Sequence, residues 1–267
     1  MRIREVTATC VAITLCASGV LAQTPDERAA ARDLLTKRGA AVVTARATVT
    51  MRGLPGRTDG VEDTVQATAV VIDGSGLAVV ALSQLDPSEM VKRAVTGMPG
   101  APAMNLSVEQ ANLRLRLADG REVPAKIVLR DPDLDLAFLR PTEAPATPMA
   151  SVDLTTVGKG QVADLVLVVQ RFGEMTGWKA GISFGAIQAI IEKPRMQYVV
   201  AASTIGGGLG SAVFDTAGRF LGIFVVRSQA SAGRRSVFAM MQGVEGVGLL
   251  PIVLPADEIV ELAKQAK

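Results

Sequence analysis

Short apolar runs follow one another along most of the sequence, and Gly, Pro or Asp-Gly separates them. The runs are rich in Val, Ile and Ala. This spacing predicts about a dozen β-strands, which is typical of sandwiches and barrels rather than of strand–helix–strand units. Examples are residues 40–51, 65–73, 76–85, 164–170 and 220–226. We therefore expect an all-β fold.

Two segments near the ends have helical patterns instead. Thr24 with Pro25 opens a stretch with acidic residues early and basic residues late, and Gly39 ends it. That order is typical of a capped helix. The last residues, 255–267, read as a short amphipathic helix.

Two further segments interrupt the strand pattern. Residues 86–106 contain Met90, Met98 and Met104, and we expect a loop with a helical turn there. Methionines adapt to irregular partners, so this segment is a candidate contact surface, or else a plain surface loop. Residues 144–160 are rich in Pro, Thr and Gly and are the best candidate for a linker between two β modules.

The first 22 residues have the pattern of an export signal, with a charged start followed by an apolar stretch and small residues before Gln23. The apolar stretch is short and rich in Thr for a membrane span, although an uncleaved anchor is the alternative. Cys10 and Cys16 both lie in this segment, so the mature chain is expected to have neither a disulfide nor a thiol nucleophile. We expect a periplasmic or secreted protein with no stable membrane span.

Charge and composition exclude several classes of function. The net charge is +2 with both signs interleaved, and aromatic residues make up 3% of the chain. No basic stripe is present, so nucleic acid is not an expected partner. The sequence contains no histidine, which excludes Ser-His-Asp and Cys-His catalysis and histidine zinc sites. No cofactor or metal is expected.

One glycine-rich segment stands out, "AASTIGGGLGSAVFDTAGRFLGIFVV" at residues 201–226. A dinucleotide-binding loop would lead from its glycines into a helix, whereas this loop leads into a strand, a turn and a strand. Two interpretations remain. The loop is either a plain turn between strands or a turn whose backbone amides face a site, as in an oxyanion hole.

This segment resembles the catalytic loop of HtrA/Deg-type trypsin-like serine proteases, which carries Gly-Asn-Ser-Gly-Gly followed by a strand, a turn and Val-Ile-Gly-Ile. Without a gap, Gly207 and Gly210 fall on the glycines and Leu209 falls on the nucleophilic serine. Ser211 takes the place of the last glycine.

Four more segments resemble the family in the expected order. Residues 67–85 resemble the strand pair that ends at the catalytic histidine, which falls on Ser83. In residues 117–140 the catalytic aspartate falls on Asp135. Residues 166–187 and 246–265 resemble the start and the end of the second barrel. Five segments in order are specific for the fold and much less informative about activity.

The resemblance implies two six-stranded β-barrels of the trypsin-like fold, with short helices at both ends. It suggests a signal peptide at 1–22, a helical segment at 23–37, a first barrel at 38–145, a linker at 146–160, a second barrel at 161–250 and a C-terminal helix at 251–267. The family's PDZ module is not expected, since the chain ends at Lys267.

The resemblance also implies a degenerate triad at Ser83, Asp135 and Leu209. A serine without a base is a poor nucleophile, so we expect a pseudoprotease that binds an extended peptide or a protein partner without cleaving it. Ser83 is expected to bond Asp135. The expected peptide and oxyanion loop consists of Gly207, Gly208, Leu209, Gly210 and Ser211.

Two alternatives stand beside the pseudoprotease. The first is an assembly or regulatory subunit, either a homotrimer or a complex with an active HtrA-like paralogue. The second, which the sequence disfavours, is an active endopeptidase. That enzyme would need Ser211 or Ser203 as nucleophile and a lysine base, for which the second module offers Lys159, Lys179 and Lys193.

Overall fold

A computed structural model describes residues 23–53, 60–88, 107–202, 208–228 and 249–266. The first six strands are β1 Val42–Arg52, β2 Val61–Val71, β3 Ala78–Ala81, β4 Ser107–Arg116, β5 Glu122–Asp131 and β6 Leu136–Pro141. The next six are β7 Leu165–Arg171, β8 Ala180–Ile191, β9 Gln197–Ala202, β10 Ala212–Asp215, β11 Phe220–Ser228 and β12 Leu249–Pro255. The helices in the described ranges are α1 Pro25–Arg38, α2 Leu82–Leu85 and α3 Ala256–Ala263, with 3₁₀ turns at Gly39–Ala41 and Glu174–Thr176.

Helix α1 begins and ends where the sequence predicts. The Thr24 hydroxyl accepts from the Glu27 amide at 3.2 Å, and the Glu27 carboxylate accepts from the Thr24 amide at 2.6 Å. This reciprocal pair satisfies two amides that have no partner within the helix. At the other end, the Gly39 amide donates to the Leu35 carbonyl.

Each half of the chain forms a closed barrel of six antiparallel strands. The strand order is β1-β2-β3-β6-β5-β4 in the first barrel and β10-β11-β12-β9-β8-β7 in the second. Val43, Val80 and Leu139 are among the residues that fill the first barrel, and Tyr198 and Phe224 are among those that fill the second. The predicted fold class, all-β with two six-stranded barrels, is confirmed.

A third apolar cluster lies between the barrels and extends to both end helices. Val42 faces this shared core while its neighbour Val43 faces the barrel interior. In the second barrel Ala212 faces the shared core and Val213 faces inward. Successive strand residues point to opposite faces, so one apolar run such as Val42-Val43 can serve two cores.

The last strand and the last helix follow each other directly. Strand β12 continues past the predicted domain boundary at residue 250 and reaches Pro255, and α3 begins at Ala256. The helix begins within the predicted amphipathic stretch 255–267, while residues 251–255 of the predicted C-terminal segment belong to β12 and pair with β11. Within the described ranges, no helix is both long and apolar enough to cross a bilayer.

Candidate functional site

Asp135 lies directly before β6, at the end of a tight turn that points its carboxylate into the protein. The turn is held by the Asp131 carboxylate, which accepts from the backbone amides of Asp133 and Leu134. Asp135 has a φ of +56°, and only 8% of the residue is exposed. Non-glycine residues rarely adopt positive φ, and such positions cluster at functional sites.

Three donors surround the Asp135 carboxylate. The Ser83 amide donates to Oδ1 at 2.6 Å, and the Ser83 hydroxyl donates to Oδ2 at 3.0 Å. The Val226 amide on β11 donates to Oδ2 at 2.8 Å, so the carboxylate joins the two barrels. The hydrogen bond that the sequence predicts between Ser83 and Asp135 is present.

Burial dominates the electrostatics of this carboxylate. It raises the pKa of Asp135 to about 6, although the hydrogen bonds from Val226 and Ser83 oppose that rise. Desolvation disfavours the charged form, and among the described residues no ion pair includes Asp135 to compensate.

Ser83 occupies a short helix rather than the strand that its sequence suggests. The apolar run 76–85 is predicted as one strand, but β3 ends at Ala81 and α2 takes up Leu82–Leu85. The Leu82 amide donates to the Asp135 carbonyl at 2.9 Å, which fixes this helical turn over the start of β6. Ser83 is thereby positioned with both its amide and its hydroxyl toward the carboxylate.

The glycine-rich segment ends in a tight turn at residues 208–211. The Ser211 amide donates to the Gly208 carbonyl at 3.0 Å, and Gly210 has a φ of +80°. A Cβ atom at Gly210 would lie 2.1 Å from the Thr68 carbonyl oxygen of the first barrel. Glycine is therefore required here both for the backbone conformation and for the close approach of the barrels.

Leu209 and Ser211 differ in their surroundings. Leu209 is half-buried and packs against the shared core. Ser211 is completely buried, and its hydroxyl has no hydrogen-bond partner among the described residues. Gly207, the other predicted loop residue, lies outside the described residues, as do Gly206 and Ser203 and nearly all of the segment 86–106.

Other chemistry at the site is limited within the described ranges. The part of the chain that the structure describes holds no cluster of three residues able to ligate a metal. Lys159, Lys179 and Lys193 are all exposed.

The amide of Val226 donates to Asp135 and is the contributor to the site that sequence reasoning misses. No residue-type signal could reveal it, because every non-proline residue carries the same backbone donor.

Comparison of the sequence with profiles of known protein families gives a match. Residues 67–223 match the sequence profile of the trypsin-like peptidase domain family. That stretch is more than half of the chain, so the chain belongs to the trypsin-like peptidase domain family. No curated protein matches the chain with significant sequence similarity.

Solved structures of the HtrA/Deg type share the fold. One is a variant of the HtrA-type protease AlgW with a decapeptide. Its TM-score is 0.56 at 17% identity, and the match covers 88% of this chain and 65% of the AlgW chain. Another is Deg5, with a TM-score of 0.57 and 17% identity. That match covers 89% of this chain and 94% of the Deg5 chain. The chain thus spans slightly less than two thirds of the AlgW chain. The resemblance to HtrA/Deg proteases is confirmed at the level of the fold.

Proposed function

We propose that this protein is an exported pseudoprotease of the trypsin fold, which binds an extended peptide or protein segment without cleaving it. The observation that carries the proposal is the pairing at Asp135. Where a trypsin-like protease holds an imidazole, the carboxylate accepts both hydrogen bonds of Ser83. A serine hydroxyl at that position has no basic nitrogen to accept a proton from a nucleophile.

The nucleophile position supports the same proposal. Leu209 falls on the family's catalytic serine, and its half-buried side chain packs on the shared core. The nearest serine in sequence, Ser211, is completely buried. The three candidate lysine bases are exposed, whereas a lysine that acts as a base needs a desolvated site to lower its pKa.

The fold retains features suited to binding. Backbone hydrogen bonds hold the turn at residues 208–211, and Leu209 adds a partly exposed apolar side chain at its apex. Trypsin-like folds bind peptides as an added strand through main-chain hydrogen bonds, which do not require a catalytic triad. Export is proposed from the signal-like segment at residues 1–22.

Fluorescently labelled casein tests the proposal with one substrate and two measurements. Protein without residues 1–22 should raise the anisotropy of the casein and release no fragments. Leu209→Glu should reduce binding about tenfold or more, because a charge replaces apolar contact surface. Val162→Glu makes the same change at a side chain that is 57% exposed elsewhere on the second barrel and should leave binding unchanged.

Two outcomes would overturn the proposal. Cleavage by the parent protein that survives rigorous purification would show an active endopeptidase with an unrecognised base. Casein binding unaffected by Leu209→Glu, with an unchanged melting temperature, would place any binding elsewhere. The variant Ser83→His with Leu209→Ser is a further arm, since a gain of cleavage would show that the catalytic geometry persists.

A further inference from the structure

Three arginines project from one outer face of the first barrel. Arg46 on β1 lies directly opposite Arg114 on β4, and Arg116 lies two residues further along the same face. Like charges in directly opposed positions of a sheet are destabilising. Arg114 is exposed and has no ion-pair partner among the described residues.

A single carboxylate compensates for this charge within the described part of the chain. Glu122 on β5 accepts from Arg46 at 2.7 Å and from Arg116 at 3.4 Å, both through the same oxygen. The Arg46 guanidinium holds the pKa of the Glu122 carboxyl below its usual range, so Glu122 is ionised at neutral pH. The cluster therefore keeps a surplus charge of about +2.

The loop between β7 and β8 places an aromatic ring against these arginines. The Arg116 guanidinium lies 4.0 Å from the centre of the Trp178 ring. Trp178 has a φ of +53° and follows Gly177 at +65°, an arrangement that L side chains rarely adopt. Arg171 donates to the Trp178 carbonyl at 2.9 Å and to carbonyls of Val42 and Gly39, which holds the loop against the first barrel.

Three donors in this cluster lack acceptors. The Nε–H groups of Arg46 and Arg116 and the indole N–H of Trp178 are buried and donate to no acceptor among the described residues. Buried donors are nearly always satisfied in folded proteins. These three atoms are closed to solvent, so an external acceptor can reach the cluster only through Arg114 and the terminal nitrogens of Arg46 and Arg116.

We propose that Arg46, Arg114, Arg116 and Trp178 form a binding site for a phosphate group. A phosphate monoester carries close to two negative charges, which match the surplus charge, and its oxygens can accept from the exposed Arg114 and from the terminal nitrogens of Arg46 and Arg116. The planar guanidinium fork favours such oxyanions, and Arg116 is already oriented by the indole ring. The site is separate from Asp135 and Leu209 and does not depend on the proposed peptide binding.

The single tryptophan of the chain, Trp178, gives a direct readout. Inorganic phosphate, titrated at constant ionic strength, should change Trp178 fluorescence saturably, and O-phosphoserine should do the same if the group is presented by a larger molecule. Arg114→Gln should weaken phosphate binding about tenfold or more, because it removes a charged donor from an exposed position. Arg121→Gln removes the same charge from the adjacent turn, where Arg121 pairs with Asp119, and should leave binding unchanged.

Titration calorimetry of the same variants checks the affinities without relying on the indole. Binding of inorganic phosphate but not of O-phosphoserine would assign the site to the free ion. Absence of saturable binding of either probe would overturn the proposal. Equal weakening by Arg114→Gln and Arg121→Gln would also overturn it, since that result means general attraction to positive surface.

Discussion

Gly210 is the residue at which the two barrels approach most closely in the glycine-rich turn. The sequence shows a family-like glycine there, but the reason for it comes from the other barrel. The Thr68 carbonyl occupies the space that a side chain would need, and the left-handed φ independently disfavours residues other than glycine. Ser83 and Asp135 are the converse case, since the family resemblance places both at triad positions and their side chains are a matching donor and acceptor.

Gly210→Ala is expected to destabilise the protein by roughly 4 kcal/mol, from the φ penalty together with a clash against rigid backbone. Gly177→Ala is the matched control. Gly177 has a φ of +65° but nothing within 4 Å of the added Cβ, so only the conformational penalty of about 1–2 kcal/mol applies. Urea unfolding measures both values. Equal losses would show that the contact with Thr68 costs nothing.

Three segments meet at the Asp135 carboxylate: α2 supplies both donors of Ser83, the turn before β6 supplies the aspartate and β11 supplies the Val226 amide. Sequence patterns predict most strands and the caps of α1, because these depend on local periodicity and capping residues. The helical turn α2 escapes such prediction, since four residues are too few to show a helical period. Its conformation depends on the bond from Leu82 to the Asp135 carbonyl.

The stability of the protein is expected to depend on pH through this junction. The folded state holds the Asp135 proton up to a pKa of about 6, above the value of about 4 in the unfolded chain. The folded state thus binds more protons between these values. Its contribution to stability is complete below pH 4 and is lost as the pH rises through 6, by roughly 3 kcal/mol.

Urea unfolding at intervals from pH 4 to pH 7 measures this dependence. Subtracting the profile of Asp135→Asn, which cannot titrate, isolates the contribution of the one carboxyl. A difference that stays flat over this range, or that grows with pH, would contradict the assignment.

At the scale of the whole molecule, the shared core joins the two barrels, and we expect them to unfold as one unit. Phe138 on β6 and Phe214 on β10 are both fully buried in it, and helices α1 and α3 contribute Leu34 and Ile259. Interior residues of each barrel contact their own barrel, whereas these residues lose their packing if either barrel unfolds. Because these residues pack in a core that both barrels share, we expect a single cooperative unfolding transition.

Trp178 fluorescence and far-ultraviolet circular dichroism should therefore report the same urea midpoint. Phe138→Ala, in the shared core, and Leu139→Ala, inside the first barrel, are neighbouring truncations that should each cost about 2–5 kcal/mol. Both should shift the two signals together. A fluorescence midpoint well below that of the dichroism would show that the barrels separate before they unfold.

The sequence by itself determined the all-β class, the capped first helix, the export-like segment and the absence of histidine. These follow from local patterns and residue types. The tertiary structure alone decided that Val226 bonds Asp135, that Thr68 restricts Gly210, and that Arg116 stacks on Trp178. Each of these contacts joins residues that lie far apart in the sequence and meet only when the barrels pack, so no local pattern can encode it.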